Sequence, residues 1–187
     1  MKNKFLALTA LAYFMAAPAF AAKPSAFKIL PADSHIKFQA TQGGAAINGE
    51  FKTFTADINF HPDALAESSV KVTIDTGSYN VDDNDAKGAL KDKEWFDVKG
   101  FPQAVFEAKS FKSLGNKKYE AAGNLTIKGH SEPVVLSFIL AEFSEKSAAI
   151  AGELVLKRRA FKIGEDSTDS VKDDVKVVVE VKAVGVR

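Results

Sequence analysis

The residues of this chain that could do chemistry are few and scattered. Its three His are His35, His61 and His130, and it has no Cys. Nucleophilic catalysis needs a base poised beside the nucleophile. The Gly-x-Ser-x-Gly elbow that presents a Ser in many hydrolases is missing, and nothing in the spacing pairs a His with a nucleophile. Zinc sites typically draw on close ligand pairs, which the three His do not form. Asp82-Asp83-Asn84-Asp85 has the acidity of a calcium loop but lacks its Gly and distal Glu. An acidic helix start, favoured by the helix dipole, accounts for it better. No catalytic residue and no metal ligand is therefore assigned. Lys157-Arg158-Arg159 is the one basic cluster, read either as a solvated strand end or as a contact for a lipid headgroup or an acidic partner. Asn124-Leu125-Thr126 matches a glycosylation acceptor but lies inside a strand pattern and is discounted.

The elements around these residues are strands. Apolar residues recur at every second position, as expected for strands with one dry face. The pattern is clear in Ile36-x-Phe38-x-Ala40, Phe54-x-Ala56-x-Ile58-x-Phe60, Val70-x-Val72-x-Ile74, Gly123-x-Leu125-x-Ile127, Val134-x-Leu136-x-Phe138-x-Leu140 and Val175-x-Val177-x-Val179-x-Val181. Further strands are expected at 27–30, around 104–111 and at 150–157. Turn chemistry separates them at Gly43-Gly44, Asn48-Gly49, His61-Pro62-Asp63, Gly115-Asn116, Lys128-Gly129 and 164–170. The segment 82–93 reads instead as a short helix, capped by Asn84 or Asp85 and leading into Trp95-Phe96, which should plug one barrel end. Strands at this spacing without long helices predict an all-β antiparallel architecture. Closure into a barrel removes exposed edges. About eight strands enclose an interior that side chains fill or that holds one slender ligand.

The first 21 residues have a basic start at Lys2 and Lys4, an apolar run from Phe5 to Ala17, then Pro18 and Ala19-Phe20-Ala21. This is the pattern of a cleavable export signal, with the cut expected after Ala21. The run is too short for a bilayer span of about 20 residues. The mature chain, 22–187, is expected to be one domain in an exported, periplasmic protein. Losing Lys2 and Lys4 takes the formal charge from +1 to −1, so bulk charge supplies no reason to expect a nucleic-acid partner. Without Cys, stability has to come from burial. Phe is abundant at 15 residues, against three Tyr and one Trp. Such an excess either fills a core or walls an apolar pocket.

Several ordered motifs stand out along the chain. They are Asp33-Ser34-x-Ile36-x-Phe38, Gly49-x-Phe51-x-x-Phe54 and Ile74-Asp75-x-x-Ser78, then Leu90, Trp95-Phe96-Asp97-Val98 and Phe101-Pro102-x-Ala104-x-Phe106. Tyr119, Gly123-x-Leu125-Thr126-Ile127-Lys128-Gly129, Pro133-Val134, Arg159-x-Phe161-x-Ile163-Gly164 and Asp174-Val175 continue the series. This series resembles the YceI-like family, and the resemblance implies an extended, lipocalin-like antiparallel barrel that binds a polyisoprenoid or similar amphiphile in an apolar tunnel. It also implies export and, for some relatives, association with a membrane b-type cytochrome, hence a quinone as one possible cargo. Gln42, where many relatives have His, and His130-Ser131, in place of Val-Thr, depart from the pattern at the headgroup end. On this reading the tunnel wall comprises Phe38, Phe54, Ile58, Val72, Ile74, Phe106, Leu125, Ile127, Leu136 and Phe138, with Leu90, Trp95 and Phe96 closing one end. Arg159 and His130 are the rim candidates. The function expected is a lipid carrier or sequestering protein without a cofactor. The alternatives are an enzyme acting on an isoprenoid lipid and a filled, ligand-free accessory protein of a cytochrome complex.

Overall fold

The computed structural model describes residues 22–165 and 171–186. The expected export signal at 1–21 and part of the 164–170 turn lie outside them. In chain order the described strands are β1 (Ser25–Ile29), β2 (His35–Gln42), β3 (Ala45–Phe51), β4 (Phe54–Phe60), β5 (Ser69–Asp75) and β6 (Tyr79–Val81), then, after the helix α1 (Asn84–Ala89), β7 (Gln103–Gly115), β8 (Lys118–Ile127), β9 (His130–Phe143), β10 (Ser147–Lys157) and β11 (Asp174–Gly185).

Eight of them close an antiparallel ring in the order β1-β4-β5-β7-β8-β9-β10-β11, sealed by β1 against β11. The remaining three extend one end of the barrel: β2 takes over the edge of β11 below β1, and β3 and β6 continue from β2. The handover from β1 to β2 happens across the single turn Pro31–Asp33. There the buried Ser34 hydroxyl donates to the Lys182 carbonyl at 3.2 Å and accepts from the Lys182 amide at 3.1 Å, so the seam leaves neither backbone group of Lys182 unpaired. Beyond β6 the wall is completed by the segment 82–102. Its Asp82 amide donates to Asn48 of β3 at 3.0 Å, and its Glu94 carbonyl accepts from Gly164 at 2.7 Å on the far side.

The expected helix is shorter than 82–93, and its cap is neither Asn84 nor Asp85. Asp83, still extended at φ −104°, accepts from the Ala86 amide at 2.8 Å, which places Asn84 and Asp85 inside the first turn. The Asn48-Gly49 pair is not a turn but part of β3. Gly49 faces Phe38 across the β2–β3 ladder, and any Cβ there would fall inside the Phe38 ring. Close packing, not chain reversal, is the reason for that Gly. The turns at Gly43-Gly44, Gly115-Asn116 and Lys128-Gly129 do form, all with positive φ.

Two bulges reset which residues point inward. In β7 the register shifts between Ala108 and Ser110, so the inward series Ala104, Phe106, Ala108 resumes at Phe111. In β9 the pairing with β10 shifts between Ala149 and Ile150, which moves the inward series from Leu140 to Phe143.

Buried side chains form two clusters, one at each end of the barrel. Val81, Leu90, Phe96, Leu125, Phe161 and Ile163 pack at the end closed by segment 82–102. Phe60, Ala108, Ala121, Phe138 and Leu140 pack at the other. Between them, inward residues such as Val72, Ile74, Phe106 and Leu136 are only half-buried. The barrel is packed at its ends and hollow between.

Candidate functional site

The hollow consists of two adjoining cavities of about 180 Å³ and 100 Å³. They share Ile36, Val72, Phe106, Leu136 and Val179 as a common waist. Cavities of about 150 Å³ lined by Leu, Ile and Phe stay dry and accept apolar guests. The atoms facing both cavities here are all apolar.

Strand alternation makes this wall. Along β11 the lining residues are Val175, Val177, Val179, Val181 and Ala183, every second position without interruption. At about 3.4 Å per residue that series runs about 27 Å along the strand. The intervening Lys176 and Glu180 point outward, where they pair with Glu153 and Lys37. Strand β9 contributes Val134, Leu136, Phe138 and Leu140 in the same way.

All thirteen residues expected to form the wall and plug face the hollow. The larger cavity takes Phe38, Ile74, Leu125, Ile127, Leu90, Trp95 and Phe96; the smaller takes Phe54, Ile58 and Phe138; Val72, Phe106 and Leu136 belong to both. The rim candidates lie elsewhere. Arg159 and His130 are exposed, and neither lines a cavity. The charged residue that does reach the larger cavity is Arg158, next to Arg159 in sequence and only 3% exposed. Its guanidinium donates to the carbonyls of Ile163 at 2.6 Å, Gly164 at 2.5 Å, Val171 at 2.9 Å and Lys172 at 3.1 Å, and it stacks over Trp95 at 5.7 Å from the ring. Arg158 thereby ties the β10–β11 connection to the plug. The sequence carried one signal for this: Arg158 continues the inward alternation of Leu154 and Leu156, and Arg159 does not.

The plug is held from several sides. Tyr79 donates its hydroxyl to the Lys87 carbonyl at 2.8 Å and packs against Phe96. Burial pushes that hydroxyl above its ordinary pKa, with Asp92 adding to the effect. The Lys128 ammonium donates to the Lys162 carbonyl at 2.8 Å and the Glu94 carbonyl at 3.2 Å. Outside the barrel, Glu50 accepts from Lys52 and from His35, the latter at 2.7 Å, and these bonds hold its carboxyl below the usual carboxylate range. His61 accepts from the Asp63 amide at 3.1 Å in its turn and packs on Phe143. Among the described residues, no three His, Asp or Glu side chains converge as a metal site.

The model of the YceI-like domain matches residues 27–183, from within β1 to within β11. The chain belongs to the YceI-like family. A UPF0312 protein of Photorhabdus laumondii is 30% identical over 138 residues, 73% of this chain and 71% of its own length. One of Vibrio parahaemolyticus is 29% identical over 137 residues, 72% of each chain. Among solved structures, Burkholderia cenocepacia BcnA superposes with a TM-score of 0.76 at 32% identity, over 82% of this chain and 98% of its own. A Campylobacter jejuni YceI protein gives 0.68 at 27%, covering 74% and 85%. A polyisoprenoid binding domain from Saccharophagus degradans gives 0.70 at 12% identity, covering 87% and 99%, and shares the fold. The eight-strand closed barrel with one short helix is thus the YceI-like architecture.

Proposed function

We propose that this YceI-like barrel is exported to the periplasm and holds there an amphiphilic lipid with a long, isoprenoid-type tail, as a carrier or sequestering protein and not as an enzyme. The observation that carries the reading is the all-apolar, two-lobed hollow along the barrel axis. Each methylene moved from water into such a space contributes about 0.8 kcal/mol, so about ten give ~8 kcal/mol, the scale of a micromolar Kd. A tail can be held there without a polar contact. A polar headgroup placed in the same space would lose its hydrogen bonds to water and find none in return, so it belongs outside the apolar wall. A quinone with an isoprenoid tail meets both conditions, and a membrane b-type cytochrome would then be the natural partner for delivery or withdrawal. The polyisoprenoid binding of the Saccharophagus degradans domain supports the same class of cargo. Export rests on the basic start and apolar run of residues 1–21.

The test is native mass spectrometry of the mature protein purified from a bacterial periplasm without detergent, followed by organic extraction. A stoichiometric isoprenoid or quinone is the expected result. A bare protein mass that stays unchanged after incubation with such lipids would overturn the reading and leave a protein that acts only through its surface.

A further inference from the structure

The two ends of the hollow are built differently. The larger cavity ends at segment 82–102 and at residues 158–165 after β10, chain outside the sheet held by scattered backbone and side-chain bonds. The smaller cavity ends inside the strand-built ring, at a nest of aromatic rings. Phe60 stands at its centre, 6% exposed, with the ring centroids of Phe111, Tyr119, Phe143 and Phe138 at 5.6, 6.0, 6.1 and 6.3 Å, all edge-on to it. Phe138 in turn stacks on Tyr119 at 5.6 Å. Phe60, Phe111 and Phe138 face the cavity, whereas Tyr119 and Phe143 back them. Rings interlocked edge-to-face and anchored on hydrogen-bonded strands have few alternative rotamers at native packing density. A chain arriving here meets a fixed wall.

We infer that the Phe60 nest is a tail stop. The apolar tail enters from the plug end, passes the waist at Phe106, and its terminal methyl comes to rest against Phe60, so the nest sets the longest chain the barrel accepts. This rests on the lipid-binding reading and adds to it a direction and a length limit. The plug end is the entrance because its closure lies outside the sheet and rests on scattered single bonds, such as Asp82 to Asn48, Gly164 to Glu94 and Tyr79 to Lys87, that can be exchanged one at a time. Opening the other end would break strand pairing between β1 and β11 or unstack five aromatic residues.

Two substitutions move the wall in opposite directions. Phe60→Leu removes ring volume while keeping an apolar side chain, and Ala148→Leu adds volume in the same lobe. Val155→Ala, on the outer face of β10 and lining neither cavity, is the control. Each folded protein, verified by circular dichroism, is stripped of lipid and incubated with an equimolar mixture of all-trans isoprenoid alcohols: geraniol, farnesol, geranylgeraniol and longer polyprenols. Native mass spectrometry then reads which are retained. The expected result is that Phe60→Leu shifts the ratio of adjacent members about tenfold toward the longer, and Ala148→Leu about tenfold toward the shorter. That is the effect of admitting or excluding about two methylenes, and Val155→Ala keeps the wild-type distribution. Retention of the same chain lengths by all four proteins would overturn the tail stop and leave lipid binding intact. Retention of no alcohol by any of them would overturn both.

Discussion

At the scale of single residues, the contrast between Arg158 and Arg159 decides what the basic cluster is for. Arg158 is buried and supplies hydrogen bonds to four backbone carbonyls, so Arg158→Ala should leave those acceptors short of donors in a dry environment and cost at least ~3 kcal/mol. Arg159 contributes its backbone amide, which donates to Asp173 at 3.0 Å, while its side chain is exposed. Arg159→Ala should therefore stay within about 0.5 kcal/mol of wild type. Urea unfolding of the two variants separates these outcomes, and equal midpoints would mean that the Arg158 contacts add nothing. Glu50 gives a pH signature. Its carboxyl is held below the ordinary glutamate range by Lys52 and His35, so it stabilises the fold above the unfolded-state pKa. That contribution fades as the pH falls through the lower folded-state value. Wild type should be more stable than Glu50→Gln near neutrality, and the two should converge in acid. Thermal melts across the acid range would show parallel curves if the network were idle.

At the scale of elements, alternation carries most of the information, and its interruptions mark where reading stops. Strand β11 presents Val175 through Ala183 with unbroken period two, so its inward face could be assigned from sequence, as could those of β4, β5 and β9. The short strand β6 and the Gly-containing β3 could not. Asn48-Gly49 has the chemistry of a turn, and only the position of Phe38 on the neighbouring strand shows that the Gly makes room for a ring. The bulge in β7 is invisible for the same reason: it is defined by the partner strand, and it alone brings Phe111 inward. Period two tells Arg158 from Arg159, but the carbonyls that receive the Arg158 guanidinium, on residues 163, 164, 171 and 172, are brought to it by the fold alone. The plug segment is the element whose strength is easiest to tune. Asp83→Ala removes the α1 cap and should cost about 1 kcal/mol. The loss should appear as faster amide exchange confined to α1 and its flanks, with β8 and β9 unchanged. Uniformly faster exchange would mean that the plug and the barrel open as one unit.

At the scale of the whole molecule, the hollow between two packed ends makes the protein an incomplete solid, and its stability should depend on what completes it. The half-buried inward side chains at the waist lack contact partners on their open side, so the lipid-free fold forgoes dispersion energy that a tail would restore. A ligand that binds the folded state alone stabilises it by RT ln(1 + [L]/Kd), about 2.7 kcal/mol at a hundredfold excess over Kd. For a domain of this size each kcal/mol moves the melting point by about 2–4 °C, so stripping lipid should lower Tm by roughly 5–10 °C and returning geranylgeraniol should restore it. Phe54→Asp places a charge on the wall of the smaller cavity, where it has no solvent and no partner group facing it. That variant, if folded by circular dichroism, should melt at one temperature with or without the alcohol. Wild-type protein whose Tm ignores both stripping and refilling would show that the two cavities are packing voids the fold tolerates. A wild-type shift that Phe54→Asp abolishes would instead tie the gain in stability to occupancy of the tunnel itself, because a lipid bound to the outer surface would act on both proteins alike.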